Sequence, residues 1–126
     1  MPKRVLVADD DQRLRESLRG YFESLDCTVD TASNYHGVRE LIDKHAYNLI
    51  VCDNSMPLGN DKTAHPTCGL ELLAHAKLHG PNMHAPFVIH TADDSNETKY
   101  TVEEELGGIY LLKATPGFLA FLKKLL

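Results

Sequence analysis

Residues 5–11 read Val-Leu-Val-Ala-Asp-Asp-Asp, an apolar run of four residues that stops at three consecutive aspartates. A run this short and this apolar is typical of a strand that is buried on both faces of a parallel sheet. Three further runs, at 49–52, 86–89 and 109–112, have the same character, and a weaker strand is predicted over 27–32. The sequence therefore predicts a sheet of five strands.

Helical patterns lie between these strands. Apolar residues recur at helical spacing at Leu14, Leu18 and Leu25, then at Val38, Leu41 and Ile42, then at Leu70, Leu73 and Ala74. A fourth helix, over about 95–106, has only a thin apolar stripe among glutamates and is expected to dock loosely. A last helix is predicted over 117–126, with Thr115 as N-cap and Pro116 at its first position. Strands that alternate with helices predict a doubly wound three-layer α/β sandwich, with a single domain over 1–126.

Composition excludes several classes of protein. With 43% apolar and 25% charged residues, the 126-residue chain has the balance of an ordinary globular domain. The net charge is 13 − 18 = −5, and no Lys/Arg block exceeds two residues, so direct nucleic-acid binding is not expected. Three cysteines without metal-site spacing predict reduced thiols. The apolar run after Lys3 and Arg4 is too short for a signal peptide or a membrane span, so a cytoplasmic location without membrane attachment is expected.

Polar residues capable of chemistry follow four of the predicted strands. Strand one ends at Asp9 and Asp10, strand three at Asp53, strand four at Thr91 and strand five at Lys113. In open α/β sheets ligands bind outside the carboxyl ends of the strands, and a parallel sheet brings those ends to one edge. We therefore expect three carboxylates, one hydroxyl and one ammonium to converge there.

This combination predicts phosphoryl chemistry beside a divalent cation. Three neighbouring carboxylates repel one another, and a hard cation such as Mg²⁺ relieves the repulsion. The cation and Lys113 would neutralise a transferring phosphoryl group, and Asp53 can act as a nucleophile that forms an aspartyl phosphate.

Four motifs carry a family resemblance over the whole chain: VLVADDD at 5–11 with Arg15, LIVCDNSMP at 49–57, Thr91-Ala92, and YLLK at 110–113. Together they resemble the receiver domains of two-component response regulators, including the chemotaxis regulators. The resemblance implies a flavodoxin-like fold with five parallel strands in the order 2-1-3-4-5 and five helices. It also implies a phosphoacceptor that assists its own phosphorylation and dephosphorylation, and not an enzyme.

The resemblance further implies a role for each site residue. Asp53 would accept the phosphoryl group, and Thr91 and Lys113 would contact it. Mg²⁺ would be bound by Asp53, Asp10 and the Ser55 carbonyl, and largely through water by Asp9. Tyr110 would be a switch that follows Thr91. The implied donor is a sensor histidine kinase or a histidine phosphotransfer protein. The implied output partner is a downstream effector or a second copy of the chain, which would read the face of helix four, strand five and helix five.

Two features depart from the family pattern. The stretch 58–68 is an insertion of roughly eight residues before Gly69, and its Gly, Asn, Asp and Pro content predicts a mobile surface lid beside Asp53 that supplies no metal ligand. The family's lysine is usually followed by a proline in cis, whereas Lys113 precedes Ala114. Since a cis bond before alanine costs roughly 3 kcal/mol, we predict a trans bond there.

Other interpretations stay open from the sequence. Asp9 and Asp11 could form the D-x-D motif of an aspartate-nucleophile hydrolase, although such enzymes need a cap and Arg13 stands where a Thr or Val is expected. A flavodoxin-like flavin carrier would need a phosphate-binding first loop, which three aspartates oppose. The remaining alternative is a degenerate receiver that binds partners without phosphorylation. Only the insertion and Ala114 favour it.

Two further patterns have plain and functional interpretations. His75 and His79 have the spacing of a zinc pair on a helix, but with no third ligand evident a solvated helix face is the favoured interpretation. The last helix is apolar nearly all round, which predicts either a partner contact or the end of a truncated chain.

Overall fold

The computed structural model describes residues 2–126, and its elements alternate between strands and helices as predicted. The strands are β1 (Arg4–Ala8), β2 (Thr28–Ala32), β3 (Leu49–Cys52), β4 (Met56–Pro57), β5 (Ala64–His65), β6 (Phe87–Thr91) and β7 (Ile109–Leu112). The helices are α1 (Gln12–Ser24), α2 (Tyr35–Lys44), α3 (Cys68–Leu78), α4 (Asn96–Tyr100), which continues as a π-helical turn over Thr101–Glu105, and α5 (Phe118–Lys124).

The main sheet has five parallel strands in the order β2-β1-β3-β6-β7. Because β4 and β5 form a separate two-stranded hairpin, this is the predicted order 2-1-3-4-5, and the predicted flavodoxin-like fold is confirmed. The register pairs Ala8 with Cys52 and Thr91 with Leu112, so the last residues of neighbouring strands lie side by side. The residues that follow these strands therefore meet at one edge.

Two apolar layers cover the sheet, because successive strand residues point to opposite faces. One layer contains Leu6, Ile50 and Ile89 and packs against α2 and α3. The other contains Val7, Val51 and Val88, and it packs against α1 and α5. The central strands are buried throughout on both faces, as their continuous apolar runs predict.

Local signals position the first two helices. The Asp11 carboxylate accepts hydrogen bonds from the backbone amides of Arg13 and Leu14, so Asp11 is the N-cap of α1 as expected. The Asn34 side chain caps α2 by accepting from the amide of Gly37.

No helix within residues 2–126 combines the length and the apolar character that crossing a membrane requires.

The last helix differs from its prediction. Thr115 does not cap it: the Thr115 hydroxyl donates to the Leu112 carbonyl and closes a turn, and α5 begins at Phe118 after Gly117. Its apolar surface is mostly used within the domain, because Leu122 is fully buried and its apolar neighbours pack against the α1 side of the core. Phe121 is the exception among the large apolar side chains of α5, with 38% of its surface exposed.

The fourth helix is also irregular. It is α-helical for five residues and then widens into the π-helical turn, whose Leu106 amide bonds back to the Thr101 carbonyl. Val102 in that turn is fully buried and is the anchor of the thin apolar stripe. The three glutamates that follow it are exposed, so this face of the domain is acidic.

Candidate phosphorylation site

The predicted residues converge at the carboxyl edge of the sheet. The Lys113 ammonium lies 3.0 Å from Asp9 Oδ2 and 3.1 Å from Asp53 Oδ2, and so bridges two carboxylates from different strands. Asp9 and Asp53 are buried, with 2% and 6% of their surfaces exposed. Asp10, Asp53, Ser55, Thr91 and Lys113 line one open cleft of about 380 Å³.

Three carboxylates at this edge of the sheet lie close enough together to hold a cation. Carboxylate oxygens of Asp9, Asp10 and Asp53 lie within 4.8 Å of one another, and Asp10 is exposed to solvent. Three clustered carboxylates with one open side fit a hard divalent cation such as Mg²⁺, which keeps part of its water shell. Ser55 lines the same cleft, and its amide donates to Asp53 Oδ1 at 3.3 Å.

The charges of this site act on one another. Burial and the neighbouring Asp9 carboxylate raise the pKa of Asp53 to about 6, even though the Lys113 ammonium acts to lower it. Burial by itself would lower the pKa of Lys113, but the carboxylates of Asp53 and Asp9 raise it above its ordinary value. Lys113 is therefore a permanent cation beside a carboxylate that is costly to ionise.

Asp9 is positioned by contacts on both sides. Its Oδ1 accepts from the Asp11 amide at 2.9 Å, and its carbonyl accepts from the Arg15 guanidinium at 2.7 Å. Its amide donates to the Ala32 carbonyl of β2, and the Asp53 amide donates to the Ala8 carbonyl of β1. The two carboxylates are thus fixed by the backbone of the sheet.

Thr91 and Tyr110 meet through one loop residue. The Thr91 hydroxyl accepts from the Asp93 amide at 3.1 Å, and the Thr91 carbonyl accepts from the Lys113 amide at 2.7 Å. The Tyr110 hydroxyl donates to the Asp93 carbonyl, and its ring is half-buried against the α3 side of the core. A displacement of the Thr91 loop would therefore reach the Tyr110 ring directly.

Asn54 and Gly69 connect the end of β3 to α3, and the sequence patterns did not single out Asn54. Asn54 is buried, and its Oδ1 accepts from the Leu70 amide at 3.0 Å. A Cβ on Gly69 would lie 2.8 Å from the Asp53 carbonyl oxygen and 2.8 Å from Asn54 Cα, so α3 can approach this closely only with glycine there. The available signal for Asn54 was its place directly after Asp53.

The insertion contains part of a short hairpin where an irregular loop was predicted, and its predicted mobility and effect on access to Asp53 stay predictions. Met56–Pro57 pairs with Ala64–His65 as an antiparallel hairpin, and the Leu58 carbonyl accepts from the His36 amide of α2 at 3.0 Å. Cys68 is buried at the start of α3 and contacts the Met56 carbonyl at 3.1 Å. Both ends of the insertion therefore contact the rest of the domain, whereas residues 60–64 and 66–67 are exposed.

The peptide bond between Lys113 and Ala114 is trans, as predicted, and no cis peptide bond occurs within residues 2–126. Ala114 instead has a φ of 66°, in the left-handed region that suits glycine. Gly117 has a φ of 74°. The chain thus turns from β7 into α5 by two positive φ angles.

One histidine of the predicted pair on α3, His75, contacts α2. His75 Nε2 lies 2.6 Å from Asp43 Oδ1 and 2.9 Å from Arg39 Nε, which links α3 to α2. Within residues 2–126, only Asp9, Asp10 and Asp53 bring three potential ligands together. The solvated-face interpretation of His75 is corrected to an interhelical contact, and zinc binding is not supported.

His90 was also missed by the sequence analysis. It immediately precedes Thr91 and is 2% exposed, and neither ring nitrogen has a hydrogen-bond partner within residues 2–126. Its ring stacks on Phe118 of α5, with centroids 5.5 Å apart and planes 17° from parallel. The sequence signal for it was a histidine that continues an apolar strand run.

Comparison with known proteins identifies a family whose model matches most of the chain. The family model described as response regulator receiver domain matches residues 5–115. A characterised relative, the Regulator of RpoS from Escherichia coli K12, is 32% identical over 78 residues. That stretch is 62% of this chain and 21% of the relative, so the chain spans about a fifth of the curated relatives it matches.

Solved structures agree in fold. The chemotaxis response regulator CheY4 of Vibrio cholerae superposes with a TM-score of 0.80 over 100% of both chains at 19% identity, which establishes the fold alone. The response regulator TrrA of Thermotoga maritima, solved in complex with Mg(2+)-BeF, is 25% identical with a TM-score of 0.74 and covers 98% of this chain and 99% of that one. A Burkholderia pseudomallei response regulator with a phosphorylated aspartic acid and a calcium ion is 27% identical, with a TM-score of 0.74 over 95% and 66% of the two chains.

Proposed function

This chain belongs to the response regulator receiver domain family, and we propose that it accepts a phosphoryl group on Asp53 in a two-component or phosphorelay pathway. The observation that carries the proposal is the Lys113 ammonium, 3.1 Å from Asp53 and 3.0 Å from Asp9, at the mouth of an open acidic cleft. A cation fixed beside a buried carboxylate is suited to neutralise charge brought by a phosphate.

Mg²⁺ is the proposed cofactor. The carboxylates of Asp9, Asp10 and Asp53 would hold it together with the Ser55 carbonyl, and it would supply charge neutralisation for the phosphoryl oxygens. Two of the named structures, one in complex with Mg(2+)-BeF and one with a phosphorylated aspartic acid and a calcium ion, support this assignment by analogy.

The proposed reaction transfers the phosphoryl group from a phosphohistidine of a sensor kinase or a phosphotransfer protein. A carboxylate oxygen of Asp53 forms a bond to phosphorus as the phosphorus–nitrogen bond of the donor breaks, and the imidazole leaves with that electron pair and takes up a proton. Lys113 and the Thr91 hydroxyl then contact the phosphoryl oxygens. The chain is a phosphoacceptor that promotes its own modification and is not an enzyme acting on a separate substrate.

The proposed output is a change in the face formed by α4, β7 and α5. Thr91 would turn toward the phosphoryl group, and Tyr110 would follow because both contact Asp93. A downstream effector or a second copy of the chain would bind the altered face.

The proposed location is the cytoplasm, in accord with three cysteines that are free thiols. The face at the π-helical turn is acidic, in accord with a proposed function without direct nucleic-acid or membrane contact.

Acetyl phosphate with Mg²⁺ tests the proposal on the isolated domain. Intact-mass analysis should show one added phosphoryl group on the wild type and none on Asp53→Asn, and EDTA should suppress the labelling. Equal labelling of the Asp53→Asn variant would refute the assignment. A wild type that stays unlabelled would leave phosphorylation-independent partner binding as the function.

The output face is tested separately by amide hydrogen exchange. Phosphorylation should change protection in α4, the π-helical turn and α5. Changes confined to the α1 side would show that the proposed face is wrong.

A further inference from the structure

His90 is an anomaly in a well-packed strand. A buried polar group without a hydrogen-bond partner destabilises a fold, and an aliphatic residue such as its neighbours Val88 and Leu111 would avoid that cost. Strand alternation places His90 on the same face as those two residues, which is the face covered by α1 and α5. The chain thus keeps a destabilising residue beneath the phosphorylation site.

The turn that carries Lys113 needs support from outside itself. Residues 113–117 contain positive φ angles at Ala114 and Gly117, and no side chain in the described range 2–126 caps the start of α5. Within residues 2–126, the Thr115 amide and hydroxyl bond only to the Leu112 carbonyl, and the Thr115 carbonyl accepts from the Phe118 amide at 3.3 Å. The turn therefore depends on what its two ends contact.

Two adjacent residues of β6 contact those ends. At the first end, the Lys113 amide donates to the Thr91 carbonyl at 2.7 Å. At the other end, Phe118 stacks on the His90 ring, with the planes 17° apart. Burial and the nearby Lys113 ammonium lower the pKa of His90 to about 4 against the opposing effect of the Asp9 carboxylate, so the ring is neutral at physiological pH and does not repel Lys113.

We propose that His90 is a positioning residue that, through its stack with Phe118, fixes the Lys113–Phe118 turn and so aims the Lys113 ammonium at the phosphorylation site. The flat imidazole supplies a surface that an aliphatic side chain lacks, and it takes over the positioning that a rigid residue after the lysine would provide. This inference rests on the proposed phosphorylation of Asp53.

The test compares ring-removing with ring-keeping variants. His90→Leu should be labelled by acetyl phosphate about tenfold more slowly than the wild type, because a small misplacement of the ammonium weakens its contact with the phosphoryl group. His90→Phe keeps a flat ring and should stay within about twofold of the wild-type rate. Phe118→Leu removes the stack from the α5 side and should be as slow as His90→Leu.

Thermal unfolding separates this role from a purely structural one. His90→Leu should unfold at or above the wild-type temperature, because it removes the unpaired nitrogens, so slow labelling would not come from a weakened fold. Wild-type rates in His90→Leu, or equally slow labelling of His90→Phe, would overturn the role of His90 while leaving Asp53 as the acceptor. If the wild type itself takes no label, the proposed function and this inference fail together.

Discussion

The charge on Asp53 should destabilise the metal-free domain above pH 6, and Asp53→Asn should reverse this. Burial and the Asp9 charge raise the pKa of Asp53 from an ordinary 3.8 to about 6. Protonated Asp53 therefore contributes stability that is fully present below pH 3.8 and is lost as the pH rises through about 6. A difference of about 2.2 between the two pKa values corresponds to about 3 kcal/mol.

Asparagine imitates the protonated carboxyl, so Asp53→Asn should unfold in urea with about 3 kcal/mol more free energy than the wild type at pH 7.5 in EDTA. The difference should shrink toward zero near pH 4. Adding Mg²⁺ should stabilise the wild type by more than the variant, since the variant lacks one of the proposed ligands.

Asp26→Asn is a matched control at the opposite end of α1. It removes the same formal charge, and asparagine tolerates the positive φ of 63° at this position. It should leave the unfolding free energy nearly unchanged at both pH values. An Asp53→Asn variant less stable than the wild type at pH 7.5, or a gap that does not depend on pH, would refute the argument that Asp53 is costly to ionise.

Three further substitutions test a buried side chain at the opposite edge of the sheet and two backbone positions near the site. Asn82→Ala should lower the unfolding free energy by about 2–4 kcal/mol in urea titrations, because the buried Asn82 amide bonds three backbone groups that would lose their partner; a loss below 1 kcal/mol would contradict this. Gly69→Ala should cost about 1–3 kcal/mol and slow acetyl phosphate labelling, since its Cβ would meet the Asp53 carbonyl at 2.8 Å; an unchanged labelling rate would show that α3 can shift freely. Ala114→Gly should gain about 0.5–1 kcal/mol by relieving the positive φ of 66°, and a loss of stability measured by urea unfolding would show that the alanine side chain is needed there.

The strand order and the convergence of Asp9, Asp53 and Lys113 were predictable from sequence because they depend on patterns that are local. Buried strands show as apolar runs, and a parallel sheet brings their ends together whatever the detail of the helices. The observed bridge from Lys113 to both carboxylates follows from that arrangement.

Other features depend on contacts between distant residues and left no local pattern. Thr115 has the sequence of a helix cap, but the nearby Leu112 carbonyl competes for its hydroxyl. The insertion looked like an irregular lid because its pairing with β4 and its bond to His36 are tertiary. The role of His90 depends on its stack with Phe118, which is distant in sequence, so His90 looks in the sequence like any other strand residue.

The hairpin of β4 and β5 also offers a place to attach a reporter. Its base is fixed by the Leu58 carbonyl bond to α2, whereas residues 60–63 at its tip are exposed. Exposed tips between fixed ends are where added peptide segments are tolerated best. Asn60 and Asp61 line a cleft with Asp10, so a fluorophore or affinity tag inserted at the tip would lie beside the proposed phosphorylation site without entering the sheet. A domain labelled there would allow the proposed phosphorylation of Asp53 to be followed optically in a mixture of proteins.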